Sequence, residues 1–250
     1  MGELAAEIGA FGGSGFYSFL DEVEEVSVQT PYGDPSAPVV IGLLGDRRVA
    51  FLPRHGLKHQ LPPHKVPYRA NVWAMKELGV RALLAPYAAG SLQPTIHPGE
   101  FVVCDQLVDR TWGRPDTYFD GPEVHHVAFA DPFDAALRRV LVDAGRSCGI
   151  TVHDGGTVVV VNGPRFSTRA ESQWFRSLGW QVINMTQYPE AVLAAELSIP
   201  YAGVALITDY DTGLADEPGI EPVTQEQVFR FFEGNVDRVR ELLAAAIPYV

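Results

Sequence analysis

The 250-residue chain has only two cysteines, Cys104 and Cys148. They make neither a CxxC pair nor part of a zinc-ligand set, so a disulfide framework and a zinc module are excluded, and both read as reduced thiols. Long hydrophobic runs are missing too. VVVV at 158–161 and VALI at 204–207 are far shorter than the roughly 20 apolar residues of a membrane-spanning helix. The opening MGELAAEIGAF lacks a basic segment followed by an apolar one, so no secretory signal is expected and a cytoplasmic protein is the reading. Positive charge is scarce: 19 Lys and Arg stand against 31 Asp and Glu, a formal net charge of −12. Such a surface repels polyanions and argues against nucleic-acid or acidic-membrane partners. It leaves open a single pocket that is locally suited to a small anion.

What is present is a soluble, globular composition, with 46% of residues in the hydrophobic set and mean hydropathy near zero. Short apolar strands alternate with amphipathic helices along the whole chain. EIGAF runs into a glycine turn, VVIGLLG and VAFLPRHG pair around a turn at Gly45-Asp46, and residues 66–78 carry helical spacing stopped by Gly79. RALLAPYAAGS and GEFVVCDQLVDRT read as a strand each. DPFDAALRRVLVDAGRSCG reads as a helix capped by Asp131 with Pro132 at its first position. GGTVVVV, QVINM and YAGVALITDYD are further strands. Helices follow over STRAESQWFRSLG (capped by Ser167 or Thr168), PEAVLAAELSI, and TQEQVFRFFEGNVDRVRELLAAA, the last with a weak point at Gly234. With no linker, repeat or low-complexity tract, the expectation is one α/β domain over residues 1–250, a central mixed β-sheet flanked by helices.

Ligands in such folds bind at the carboxyl ends of strands. Polar clusters fall at those ends: Gly12–Gly15, Arg54–His55, Ala88–Ser91, Asn162–Phe166, Asn184–Thr186 and Asp209–Asp211. The Gly-Gly-Ser-Gly turn could aim backbone N–H groups and the Ser14 hydroxyl at an anion, or be an ordinary tight turn. It is not a dinucleotide fingerprint, because Ser18 stands where the third glycine belongs, nor a nucleophile elbow, because Phe16 replaces the closing glycine. Arg54 offers a planar fork that suits phosphate oxygens, with His55 beside it. His55, His59 and His64 lack the carboxylate spacing of a metal site. Phe166 could stack on a flat base or pack in the core. Asp209 and Asp211 end a strand that is otherwise apolar, where a carboxylate could accept from an amino group or, protonated, donate to a ring nitrogen.

Taken in order, GGSG, PRHG, KVPYRANVWAMKELG, AAGSL with PGEFVVCDQLVDRT, NGPRFSTRAES, VINMTQYPEA and TDYD resemble the purine nucleoside phosphorylase superfamily. The likeness is greatest to the S-methyl-5′-thioadenosine phosphorylase branch of its trimeric members, and it covers about residues 7 to 247. The resemblance implies phosphate-driven cleavage of the bond between a purine and a 5′-modified ribose, with inorganic phosphate as co-substrate, no metal and no organic cofactor. It implies a homotrimer. Carried over by motif, Ser14, Arg54, His55, Ala88 (through its backbone N–H) and Thr186 are expected to hold phosphate. Phe166, Ser167 and Met185 are expected at base and ribose, and His126 at the 5′-group of a neighbouring subunit. Asp209 is expected to face N7 and the 6-amino group, with Asp211 supporting it. A carboxylate there favours adenine; a 6-oxo purine nucleoside or methylthioinosine is the alternative substrate. An oxidoreductase domain and a non-catalytic purine-binding protein are the readings from other classes. Departures from the family pattern are Pro86, Tyr87, Asn162, Gln187 and Tyr188.

Overall fold

The computed structural model describes residues 6–12, 20–214, 220 and 223–250. Its centre is β5 (Ala82–Ser91), a ten-residue strand at which the sheet forks. On one side β5 runs parallel to β1 (Ile8–Gly12), which runs parallel to β4 (Arg47–Pro53). β4 forms a hairpin with β3 (Val39–Leu44), and β3 carries the marginal strand β2 (Asp21–Val26). On the other side β5 lies parallel to β11 (Tyr201–Tyr210), and its last two residues pair antiparallel with β10 (Val182–Asn184). From β10 the sheet continues through β9 (Thr157–Val161) to β7 (Gln106–Arg110). From β11 it continues through β6 (Phe101–Val103) to β8 (Val152–Asp154). The sheet is mixed and largely parallel, as the alternation of strands and helices implied.

The apolar residues of the central strands divide between two faces, because successive side chains of a strand point to opposite sides. Leu83, Ala85, Tyr87 and Ala89 of β5 pack with α1 (Tyr68–Glu77) and α4 (Gln187–Glu196), through Val72, Met75, Ala191 and Leu193. Ala82 and Leu84 face the other way, onto α2 (Ala135–Ser147) and α5 (Gln225–Ala246), through Leu141, Val142, Leu242 and Leu243. A smaller cluster seats Phe175 of α3 (Arg169–Ser177) on Val159 and Ile183. Each leucine, valine, isoleucine, methionine or phenylalanine among them contributes roughly 1.5–3 kcal/mol by leaving water. The large helix–sheet–helix sandwich therefore dominates, and the polar strand ends need only be held by it.

Four local expectations change. α2 starts three residues later than read: Asp134, not Asp131, accepts from the N–H groups of Ala136 and Leu137 at 3.0 and 2.9 Å, while Phe133 turns into the core. The stretch GEFVVCDQLVDRT is two strands, broken where Asp105 leaves the ladder to accept from Gly156 N at 2.8 Å. Neither β2 nor β8 was expected. DEVEEV is too acidic to read as a strand, and its first five residues are exposed at the margin, where charge discourages further pairing. VHD is too short to show a period. α5 runs unbroken past Gly234 and starts at a capping box of Thr224 with Gln227. α3 has the same device, with Thr168 rather than Ser167 as its cap.

Candidate active site

The carboxyl ends of β1, β4, β5, β9, β10 and β11 meet around a cleft of about 550 Å³, closed on its far side by α5. Arg54 enters it from the end of β4, its backbone N–H donating to Gly12 O at 2.9 Å. The guanidinium is buried and forked onto fully buried Glu190 of α4, with Nε donating to Oε2 at 2.6 Å and Nη2 to Oε1 at 2.8 Å. Nη1 donates to the Pro86 carbonyl at 3.3 Å. Burial works against the arginine's charge, but the Glu190 carboxylate more than offsets it, and the guanidinium holds its proton more firmly than in water.

His55 Nδ1 lies 2.8 Å from the Leu61 carbonyl oxygen. A carbonyl only accepts, so this nitrogen carries the proton. The ring stacks on His59 with centroids 4.3 Å apart, and His59 meets Phe229 of α5 edge-on at 5.1 Å. Burial, aided by neighbouring His59 and Arg54 and opposed by the Leu61 bond, pushes the His55 pKa down to about 3. His55 is neutral at ordinary pH.

Thr186 sits just beyond β10. Asn184 accepts from the N–H groups of Thr186 and Gln187 and donates its amide to Thr186 Oγ1 at 3.1 Å. With one lone pair of that hydroxyl engaged, its proton is free to turn toward a ligand.

The opposite end of the cleft is acidic. The pairing of β11 with β5 slips between Ile207 and Asp209, so that Thr208 is an extra residue and the strand end is re-aimed. Asp209 is half-buried and lines the cleft on one side and an adjoining hollow on the other. Burial raises its pKa to about 6, against the Thr208 hydroxyl that donates to Oδ2 at 2.7 Å and with help from the charge of Asp211. Asp211 is buried; burial pushes its carboxyl up, while hydrogen bonds from Ser172 and the Thr212 backbone pull it down. Gly90 on β5 passes so close that a Cβ there would stand 3.0 Å from Asp209 Oδ1. A side chain at that position would crowd the carboxylate and make it give by a few tenths of an ångström.

Between the two ends lie Ala88, Phe166, Ser167 and Met185, all lining the cleft. The loop carrying Phe166 is fixed from behind. Arg114, stacked over Tyr68, donates to the Asn162 backbone oxygen at 2.8 Å and to the Tyr188 carbonyl. Arg165 turns outward and pairs with Glu171 at 2.8 Å. Tyr87 is buried in the core, its hydroxyl donating to Cys104 Sγ at 3.4 Å, so it touches the cleft without filling it. A shallower hollow of about 700 Å³ adjoins behind Asp209 and Tyr210, against Arg230 and Phe231 of α5.

Ser14 lies outside the described residues. His126 is exposed and does not line its own chain's cleft. The sequence reading missed Glu190, Arg114 and the α5 wall of Val228, Phe229, Phe232 and Glu233. Glu190 had left a signal: a carboxylate set in the apolar run PEAVLAA needs a buried cation. The α5 wall left none, since its apolar positions read as core.

A mixed α/β sheet whose strand ends hold an arginine fork at one side of a cleft and a carboxyl group of raised proton affinity at the other defines an enzyme that works on a small polar molecule. Residues 7–248 match the phosphorylase superfamily, and the chain belongs to it. It is 54% identical over 245 residues to S-methyl-5′-thioadenosine phosphorylase of Mycolicibacterium smegmatis, covering 97% of this chain and 91% of that one. It is 51% identical to purine nucleoside phosphorylase of Streptomyces coelicolor, covering 98% and 91%. Among solved structures, methylthioadenosine phosphorylase from Schistosoma mansoni in complex with adenine superposes with a TM-score of 0.91 at 39% identity, covering 97% and 91%. Methylthioadenosine phosphorylase from an antarctic soil metagenomic library gives 0.92 at 41%, covering 98% and 86%.

Proposed function

We propose that the protein cleaves S-methyl-5′-thioadenosine with inorganic phosphate, giving adenine and 5-methylthioribose 1-phosphate. The observation that carries this reading is one cleft with an anion-suited corner at Arg54 and Thr186 and an acid at Asp209 whose pKa is raised to about 6. The C1′–N9 bond breaks with its electron pair going to the purine, and protonated Asp209 gives or shares its proton with N7. A phosphate oxygen then forms the new bond to C1′. Holding the anion beside the anomeric carbon removes much of the entropic cost of bringing two substrates together. No protein nucleophile, metal or organic cofactor is needed.

In this reading phosphate is held by Arg54, His55, the Ala88 backbone, Thr186 and Ser14. Phe166 and Ser167 meet the base, Met185 lies against the ribose, and Asp211 supports Asp209. His126, exposed on its own subunit, serves the 5′-group of a neighbour in a homotrimer, and the enzyme is cytoplasmic. Support comes from the family, from relatives at about half identity named as S-methyl-5′-thioadenosine phosphorylases, and from neighbours solved with adenine. The test is a panel of methylthioadenosine, adenosine, inosine and methylthioinosine, each with and without phosphate. The expected result is cleavage that requires phosphate and is fastest with methylthioadenosine. Faster cleavage of the 6-oxo compounds, or cleavage without phosphate, would refute it.

A further inference from the structure

Arg54 is the only lysine or arginine among the described residues lining the cleft, which also carries Asp209, Asp211 and Glu233. An anion entering there depends on how this one guanidinium is presented. Of its five N–H groups, Nε–H and one on Nη2 are taken by Glu190, and one on Nη1 by the Pro86 carbonyl. Two are left, one on each terminal nitrogen. Because the guanidinium is planar and Glu190 occupies its Nε–Nη2 edge, the remaining Nη2 hydrogen belongs to the end of the fork.

Glu190 is itself fixed. It is fully buried on α4, does not line the cleft, and accepts from the Tyr201 hydroxyl at 2.8 Å; that hydroxyl also lies 2.9 Å from Gln187 Oε1. Gly203, two residues along β11 from Tyr201, leaves room for this arrangement. A Cβ there would collide with Gln187 Oε1.

We infer that Glu190, held by Tyr201, is a positioning residue for the phosphate co-substrate: it clamps the Nε–Nη2 edge of Arg54 so that the free N–H groups of the two terminal nitrogens face the anion. This deepens the proposed function and rests on it. A carboxylate is required, because a glutamine in its place would set an NH₂ group against an arginine N–H and turn the fork.

The test is steady-state kinetics with inorganic phosphate varied at saturating methylthioadenosine, and the converse. Glu190→Gln is expected to raise the phosphate KM about tenfold or more, the scale of one misplaced charge-assisted contact, with the nucleoside KM changed less than about threefold. Glu190→Asp, which keeps the charge, recovers part of the loss. A purely structural role would lower Tm and active fraction without separating the two KM values. A phosphate KM that is unchanged or lower, a parallel rise in both constants, or an aspartate no better than glutamine overturns the inference. Should Glu190→Gln fail to fold, Tyr201→Phe decides: it removes one hydroxyl from a buried site and is expected to raise the phosphate KM about threefold, the loss of one hydrogen bond shared between two acceptors. A folded Tyr201→Phe with wild-type phosphate KM also overturns it. If wild-type cleavage does not depend on phosphate, the proposed function fails, independently of these variants.

Discussion

At one end of the cleft Arg54 keeps its charge in the interior because Glu190 shares it; at the other, Asp209 holds its proton up to about pH 6 because burial and the charge of Asp211 outweigh the Thr208 hydroxyl, and no cation among the described residues pairs with it. Both groups are enclosed by protein, so burial alone does not decide the protonation state. The partner does. A buried ion with a complementary ion is locked, whereas a buried acid beside another acid becomes a proton store near neutral pH. The first arrangement suits a group that binds an anion and never changes. The second suits a group that gives up a proton and regains it in every turnover.

The largest test of this contrast is Asp209→Asn. Turnover of methylthioadenosine is expected to fall about a thousandfold, within the usual range for losing a general acid, while the phosphate KM moves little. Stability should go the other way. A carboxyl whose pKa is raised on folding favours the folded state at low pH, and this contribution fades as pH rises from the ordinary carboxylate value through about 6. At pH 8 the wild-type protein therefore carries an unfavourable charge that asparagine removes, and Tm should rise by about 2–4 °C for each kcal/mol relieved. Equal losses in turnover and phosphate affinity would contradict the leaving-group role.

Arg54→Ala is the mirror experiment. It strands Glu190 without its counter-ion, and breaking a buried pair from one side costs about 3–5 kcal/mol. Tm is expected to drop, and the phosphate KM to rise about a hundredfold, the scale of two lost charge-assisted hydrogen bonds. An enzyme with unchanged phosphate dependence would show that the anion corner is elsewhere. Together the two variants make the comparison sharp: one loses chemistry and gains stability, the other loses both stability and phosphate.

The pH profile follows with a smaller effect. Above the pKa of Asp209, about 6, kcat/KM for the nucleoside should fall about tenfold per pH unit, as for any single essential acid. At saturating phosphate the limb should sit higher, because an added anion makes the carboxyl hold its proton more tightly. His55 adds no limb near neutrality, since its pKa lies at about 3. A limb that falls as pH drops from 7 to 5 would instead indicate an essential base.

These two ends were unequally legible in the sequence. Asp209, Arg54 and His55 could be picked out because each is a polar residue closing an apolar strand, and strand ends in α/β sheets are where ligands go. The sheet and most helices were readable for the same reason, through runs such as VVVV and caps such as Thr168. The charge balance was not readable. Glu190 lies 136 positions from Arg54, and the bulge at Thr208 that re-aims Asp209 comes from pairing with a strand over a hundred residues away. Such features arise from tertiary register, which periodicity does not encode. The α2 cap shows the limit on a shorter scale. Asp131 and Asp134 are equally good caps, and the choice fell to burial of Phe133, which stacks on Tyr201 at 6.0 Å.

The finest test concerns the one hydroxyl that opposes protonation of Asp209. Thr208 Oγ1 donates to Asp209 Oδ2 at 2.7 Å and lies 3.4 Å from the Ala89 carbonyl, so its single proton stabilises the carboxylate form. Thr208→Val keeps the branched shape in a buried position and removes only that donor. Losing a bond to the charged form raises the pKa, so the basic limb should move up by about half a unit, less than the 1.4 kcal/mol that a full unit represents. At pH 8 the variant should then cleave nucleoside about threefold faster than wild type at subsaturating substrate, as a half-unit shift of a single acid requires. A limb that stays in place or moves down would show that Thr208 does not set the proton affinity of Asp209, and the contrast between the two ends would rest on burial and Asp211 alone.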